Sequence, residues 1–245
     1  MLNCINKKIR LRIAVIFISM ICAVYVKYSS TVATYTTPVK GEIDKIILID
    51  PGHGGIDGGA KSKRGCQEKH INLSISLKLR DKLKNMGYEV VMTRDSDKGL
   101  YGLTGSIRNK KNEDLNNRCK MKRDSSCDVF ISIHQNFFEQ SYYYGAQVWY
   151  SKNEDSEKLA HIIQENFKID LDKKNNRVEK PAGNAYKVLR CHSDIPSVIV
   201  ECGFLTNPQE EEKLKSEEYQ NKIADSLAKS VKEYFDTEGQ RVLSY

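Results

Sequence analysis

Three short aliphatic runs, each ending on a polar side chain capable of chemistry, constrain this chain more than any other feature. They are Ile46-Ile47-Leu48-Ile49 before Asp50-Pro51-Gly52-His53, Val129-Phe130-Ile131-Ser132-Ile133 before His134, and Val198-Ile199-Val200 before Glu201. Runs that are nearly continuous in Ile, Val and Leu, rather than alternating with polar residues, read as strands buried on both faces. Such strands need cover on each side, and the chain supplies it. Glu68 to Met86 carries Ile71, Ile75, Leu79 and Leu83 on one helical face and stops at Gly87, a residue suited to ending a helix. Further helices are expected over Asp114–Ser125, Asp155–Phe167, 208–215 and 217–235. Further strands are expected over Tyr88–Arg94, Gly145–Tyr150 and Tyr186–Arg190. Residues 95–112 and Asp170–Asn184 read as polar loops, and no internal repeat is visible. Strands alternating with helices define an α/β fold. The expectation is one domain with a mostly parallel central sheet of about six strands, flanked by helices in three layers like the phosphorylase/hydrolase folds.

Charge separates this domain from what precedes it. The net charge of +7 suggests a polyanion partner until its location is considered. Six of the 39 basic residues and no acid fall in the first 40 positions, so the rest carries 33 bases against 32 acids. A nearly neutral domain lacks the electrostatic footprint of a nucleic-acid binder. The early charges flank Ile13–Val26, an uncharged, apolar-rich run ended by Lys27. This pattern reads as a signal peptide or a short signal anchor that keeps its amino end inside and sends the remainder across the membrane. The expected organisation is a signal segment at 1–27, a Ser/Thr-rich linker at 28–44, a catalytic domain at 45–236 and a tail at 237–245. The expected location is outside the cytoplasmic membrane, anchored to it or secreted.

Of seven cysteines, Cys4 and Cys22 lie in the signal region, and Cys66, Cys119, Cys127, Cys191 and Cys202 show no paired-knuckle spacing. A cysteine zinc site or a disulfide framework is therefore not expected, and most of these thiols read as small buried hydrophobes.

The chemistry is expected at the carboxyl ends of the strands, where open α/β sheets bind their ligands and where residues distant in sequence converge. His53, His134 and Glu201 occupy such positions, and the glycine-rich loop 54–67 returns Glu68 to the same rim. Two histidines and a carboxylate with a further acid beside them are the inventory of a catalytic zinc site. Other residues admit plainer readings. His70 and His161 fit solvated or packing roles, and His192 sits in a loop before a strand. Asp50 would either orient a ligand histidine or cap the glycine loop, and Arg118 would bind a substrate carboxylate or form a structural salt bridge. Cys66 could compete for zinc or remain a buried or free thiol. Phe137, Phe138 and Tyr142–Tyr144 form an aromatic run open to three roles: sugar stacking, protein docking or packing.

Asp50-Pro-Gly-His-Gly-Gly55, Glu68 with Asn72-Leu73, Ser132-Ile-His-Gln-Asn136 and Val200-Glu-Cys-Gly-Phe-Leu-Thr-Asn207 resemble, in order, the signatures of the zinc-dependent N-acetylmuramoyl-L-alanine amidases. The resemblance spans nearly all of 45–235 and includes Thr93-Arg94, Asp114-Leu115 with Arg118, and Ile195-Pro196. Tyr144-Gly-Ala-Gln147 and Asn176-Arg177 with Pro181 are similar to the germination-associated, spore-cortex branch. The resemblance implies one Zn2+ held by His53, Glu68 and His134, with Glu201 as the catalytic glutamate. It also implies hydrolysis of the bond between the muramic acid lactyl group and L-alanine in peptidoglycan. In the spore branch this step leads on to muramic-δ-lactam and to germination, which would place the protein in the spore envelope. Asn136, Arg118 and His192 are the candidate substrate contacts, and a partner protein is considered for Phe137–Tyr144. Gln135, Phe137 and Cys202 depart from the family pattern, which bears on substrate selectivity rather than on the metal. Two alternatives remain at this point: a zinc peptidase acting within the stem peptide, and a non-catalytic wall-binding module. The second would require loss of a ligand or of Glu201, and all four residues are present.

Overall fold

The structure is a computed structural model, and it describes residues 45–102 and 104–242. The expected signal segment and linker lie outside the described residues. Among the described residues, no helix is long and apolar enough to cross a membrane.

Among the described residues, six strands form one sheet: β1 (Ile46–Pro51), β2 (Glu89–Met92), β3 (Val129–Asn136), β4 (Gln147–Tyr150), β5 (Lys180–Pro181) and β6 (Ser197–Phe204). Their spatial order is β2-β1-β3-β6-β4-β5. All adjacent pairs are parallel except β4 against β6. The helices are α1 (Glu68–Met86), α2 (Ile107–Asp124), α3 (Glu154–Asp170), α4 (Lys187–Arg190), α5 (Pro208–Lys215) and α6 (Glu217–Val242).

The core divides as strand geometry requires, with successive side chains pointing to opposite faces. Ile47 and Ile49 of β1, Val129, Ile131 and Ile133 of β3, and Val198 and Val200 of β6 point to one side. There they meet Ile71, Ile75, Leu79 and Leu83 of α1, Leu159, Ile163 and Phe167 of α3, and Ile223, Leu227 and Val231 of α6. Leu48, Phe130 and Ile199 point to the other side, against Val188 and Leu189 of α4 and Cys127. The sheet is covered on both faces, as its uninterrupted aliphatic runs demand. Burying each such side chain contributes roughly 1.5–3 kcal/mol.

Several expectations change in detail. The fifth strand is not Tyr186–Arg190. That segment forms α4, closed by a hydrogen bond from the Cys191 amide to the Lys187 carbonyl, and the place beside β4 is taken by Lys180–Pro181. The Tyr-Lys-Val-Leu-Arg pattern fits either a half-buried strand or one helical turn, and only the position of its neighbours decides. Helix α2 begins at Ile107 rather than near Asp114, because the Ser106 hydroxyl accepts from the Asn109 amide and starts the helix there. That helix buries little beyond Arg118, Cys119 and Lys122, so its apolar periodicity is faint. The last helix continues beyond residue 236 to Val242. Strands β3 and β6 also run on through His134 and Glu201 instead of stopping before them.

Cysteine usage is a larger correction. Cys119 on α2 and Cys191 just after α4 form a disulfide across 72 residues, with Cα atoms 5.9 Å apart. Cys66, Cys127 and Cys202 are free thiols, the last two buried. No local spacing marks a bridge between a helix and a segment that only the sheet brings beneath it.

Candidate metal centre

His53 follows β1, and the chain turns sharply there. His53 itself has a φ of 62°, and Gly54 and Gly55 have φ values of 134° and 59°. A positive φ at a histidine carries a backbone cost that the surroundings must offset. Arg118 does so. Its Nη2 donates to the His53 carbonyl at 2.7 Å, Nη1 donates to the Pro51 carbonyl at 2.9 Å, and the guanidinium is paired with both Asp50 and Asp114. Arg118 is 2 % exposed. It lines the cleft, yet its N–H groups are directed at protein acceptors, so of its two candidate roles the geometry matches the structural salt bridge rather than a substrate clamp.

Asp50 neither touches a ligand histidine nor caps the glycine loop. It accepts from Thr93 Oγ1 at 2.6 Å, from Ser132 Oγ at 2.7 Å and from Arg118. Burial favours the neutral acid, but Arg118 and the two hydroxyls outweigh it and hold Asp50 below the usual carboxylate range. The Asp50–Arg118 pair therefore anchors the end of β1 and the loop that carries His53.

Glu68 opens α1, and its carboxylate is the hub of the site. Oε2 accepts from the Ala60 amide at 2.8 Å, while Oε1 accepts from the Gln135 amide at 3.0 Å and Asn72 Nδ2 at 3.1 Å. His134 Nδ1 lies 2.9 Å from Oε1, and His53 Nε2 lies 3.1 Å from Oε2. Burial pushes against ionisation, but both imidazoles and these donors hold Glu68 well below its normal value. On the other side of the His53 ring, Nδ1 donates to Asp57 Oδ2 at 2.9 Å. Burial would lower the His53 pKa, yet the hydrogen bonds to Asp57 and Glu68 prevail and raise it to about 9. Glycine is needed at two positions. A Cβ on Gly52 would run into the His134 ring, and one on Gly59 would meet Glu68 and His53.

One atom from each of His53, Glu68 and His134 lies within 4.8 Å of the other two. By donor type and proximity these residues could hold a metal ion: two imidazoles and one carboxylate that converge. Glu201 stands beside them, its Cα registered directly against that of His134 across the β3–β6 ladder. Its Oε2 is buried and, among the described residues, has no hydrogen-bond partner. Burial raises its pKa to about 7, the charge on Glu68 adds to the rise, and His134 and His53 oppose it.

The triad opens into a cleft of about 240 Å3, lined among others by His53, His134, Asp57, Tyr101, Tyr186 and Lys187. Asn136 sits at the end of β3, where its backbone carbonyl accepts from the Leu205 amide. His192 does not line this cleft. Its carbonyl accepts from the Ile195 amide, and its φ is 48°. His161 pairs with Glu179 at the surface, His70 is exposed, and Cys66 stands outside the triad. Sequence reasoning overlooked Asp57 and Tyr186. Asp57 had a usable signal, a carboxylate four residues beyond a histidine within a loop that glycines allow to fold back.

An α/β sheet that gathers a candidate His/Glu/His metal triad and a buried glutamate at its strand ends has the groups of a hydrolase site. The family model for N-acetylmuramoyl-L-alanine amidases matches residues 47–233, and the chain belongs to that family. It is accordingly an enzyme that cleaves the amide between N-acetylmuramic acid and L-alanine in peptidoglycan. The germination-specific N-acetylmuramoyl-L-alanine amidase of Bacillus subtilis is 36% identical over 208 residues, covering 84% of each chain. The CwlD amidase of Clostridioides difficile, solved in complex with the GerS lipoprotein, is 44% identical with a TM-score of 0.77, over 79% of this chain and 100% of that one. An N-acetylmuramoyl-L-alanine amidase of Clostridium difficile 630 is 34% identical with a TM-score of 0.67, over 78% of this chain and 97% of its own.

Proposed function

We propose that this amidase is a zinc enzyme of the spore cortex, with His53, Glu68 and His134 holding one Zn2+ and Glu201 acting as the catalytic base. The observation that carries the reading is the pairing of a converged two-histidine, one-carboxylate triad with a buried glutamate oxygen that no group among the described residues satisfies. The donor set suits zinc, which tetrahedral N/O sites bind readily. When bound, zinc would polarise the scissile carbonyl and lower the pKa of a water molecule.

The chain's own residues would supply the rest. Asp57 holds Nδ1–H of His53 and so leaves Nε2 of that ring to face the ion. The free Oε2 of Glu201 accepts a proton from the attacking water and returns it to the departing L-alanine nitrogen. A carboxyl whose pKa lies near 7 is suited to both transfers at neutral pH. The apolar wall of Ile199 and Val188 limits water at the site.

The cortex role rests on likeness to the germination-specific enzyme and to CwlD. Export is supported by the basic, then apolar, amino-terminal segment. The CwlD structure holds a lipoprotein partner. Here Phe137, Phe138, Tyr142 and Tyr144 remain between 45% and 69% exposed, an apolar surface suited to a comparable partner.

The test is mass spectrometry of peptidoglycan digested by zinc-loaded protein, beside Glu201→Gln and a chelator-treated sample. Stem peptides released with a free L-alanine amino end, and lost in both controls, support the reading. Activity undiminished after complete metal removal, or in Glu201→Gln, would refute it.

A further inference from the structure

The cleft is lined by two tyrosines that the mechanism has not used: the Tyr101 hydroxyl accepts from the Ile56 amide at 2.8 Å, and Tyr186 is the other. Tyr186 immediately precedes α4, and its carbonyl accepts from the Leu189 and Arg190 amides, which fixes its backbone. Two cross-links hold α4 against α2: the Cys119–Cys191 disulfide and Lys122 Nζ, which donates to the Val188 and Cys191 carbonyls. One side of the Tyr186 ring is supported by Trp149, with centroids 5.9 Å apart. The residue lines the same cleft as His53 and His134. Among the described residues its hydroxyl has no hydrogen-bond partner, although burial, followed by the charges of Glu201 and Glu68, pushes its pKa up to about 12. It is therefore a neutral donor, braced by a cross-linked turn, on the wall of the cleft that His53 and His134 also line.

We propose that the Tyr186 hydroxyl donates a hydrogen bond to the carbonyl oxygen of the scissile amide and strengthens that bond as the oxygen gains negative charge during attack. The tyrosine stays protonated throughout and exchanges no proton with substrate. From the cleft wall, Tyr186 would add to the polarisation that bound zinc supplies a neutral hydrogen-bond donor, which the neighbouring charged groups do not provide. Glu201 and Asp57 are acceptors, Arg118 is committed to Asp50, Asp114 and backbone carbonyls, and Lys111 is paired with Asp57 at 2.8 Å. A fixed donor that meets charge only in the transition state contributes to turnover more than to binding.

The proposal rests on the zinc-amidase reading, and its test separates the two. Zinc-loaded wild type and Tyr186→Phe are compared on a disaccharide–peptide substrate. Zinc affinity, thermal midpoint and inhibition by a phosphinate analogue of the muramoyl–alanine linkage are measured on both. The expected result is a kcat lower by roughly 100- to 1,000-fold with KM within about twofold, zinc affinity and thermal midpoint unchanged, and phosphinate binding weakened by a similar factor. Unchanged kcat overturns the proposal. So does a loss confined to KM, or a loss that tracks weaker zinc binding, since the hydroxyl would then hold the ground state or the fold. Failure of the zinc reading looks different: wild type itself turns over without zinc, and this proposal falls with it.

Discussion

Asp50 and Glu201 are both carboxylates near the ends of buried strands, and their surroundings drive them in opposite directions. Asp50 meets Arg118 and two hydroxyls and is held ionised, whereas Glu201 has an oxygen with no partner and is pushed up to about 7. The sign of the second shift has a consequence for stability. A folded pKa above the unfolded value of 4.5 means that the native state favours the protonated acid. In metal-free protein the cost of Glu201 is absent below about pH 4.5, grows as pH rises toward 7 and is fully present above it. Glu201→Gln is thus expected to abolish turnover yet raise the stability of the metal-free protein at pH 8, by about 3 kcal/mol. That gain should vanish near pH 4.5, and denaturant titration at the two pH values checks it. Arg118 gives the contrasting case. Arg118→Ala leaves Asp50 buried without its partner and frees the His53 carbonyl. The expected loss is about 3–5 kcal/mol, accompanied by weaker zinc binding. Arg118→Lys should recover only part of either, because one ammonium cannot reach all the acceptors that the guanidinium spans. Stability intact in Arg118→Ala would show that the pair does not anchor the loop.

At the scale of elements, α4 decides the most with the fewest residues. Its single turn supplies one wall of the cleft, and a helix so short is not stable alone. The disulfide from Cys191 to Cys119 and the Lys122 bonds hold it in place. Closing a 72-residue loop restricts the unfolded chain, which corresponds to about 4 kcal/mol in the chain-entropy account. Cys119→Ser with Cys191→Ser is expected to lower stability by up to that amount. Because Tyr186 and Val188 lose their brace, kcat should fall under conditions where the protein remains folded. Calorimetry with parallel kinetics on the double variant tests both, and full activity in a folded double variant would show that α4 needs no tether. The aliphatic periodicity of α1 and of the three central strands was legible from sequence because each pattern is local. Helix α2 was legible only in its second half, since a helix facing solvent on most sides has no apolar stripe to reveal its start.

The described residues carry one continuous core on the α1, α3 and α6 side of the sheet and a smaller one beneath α4. The larger core draws residues from β1, β3, β4 and β6 together with α1, α3 and α6, so these elements share one packing. A chain beginning at residue 42 is expected to unfold in one cooperative transition, with fluorescence of Trp149 and far-UV circular dichroism changing together. Two separated transitions would contradict a shared core.

What the sequence by itself determined was the set of buried strands, the α/β class and the four polar residues at strand ends or on the returning loop. Those features are written in short-range order: aliphatic runs, four-residue spacing and glycines beside a histidine. Only the tertiary structure decided that Arg118 serves Asp50 and the His53 loop, that Cys119 meets Cys191, that residues 186–190 turn instead of extending, and that Asp57 and Tyr186 join the site. Each of these depends on which distant segment lies opposite. A carboxylate, a thiol or a phenol has the same local pattern whether its partner is water or a side chain 70 residues away, and it is the folded sheet that selects the partner.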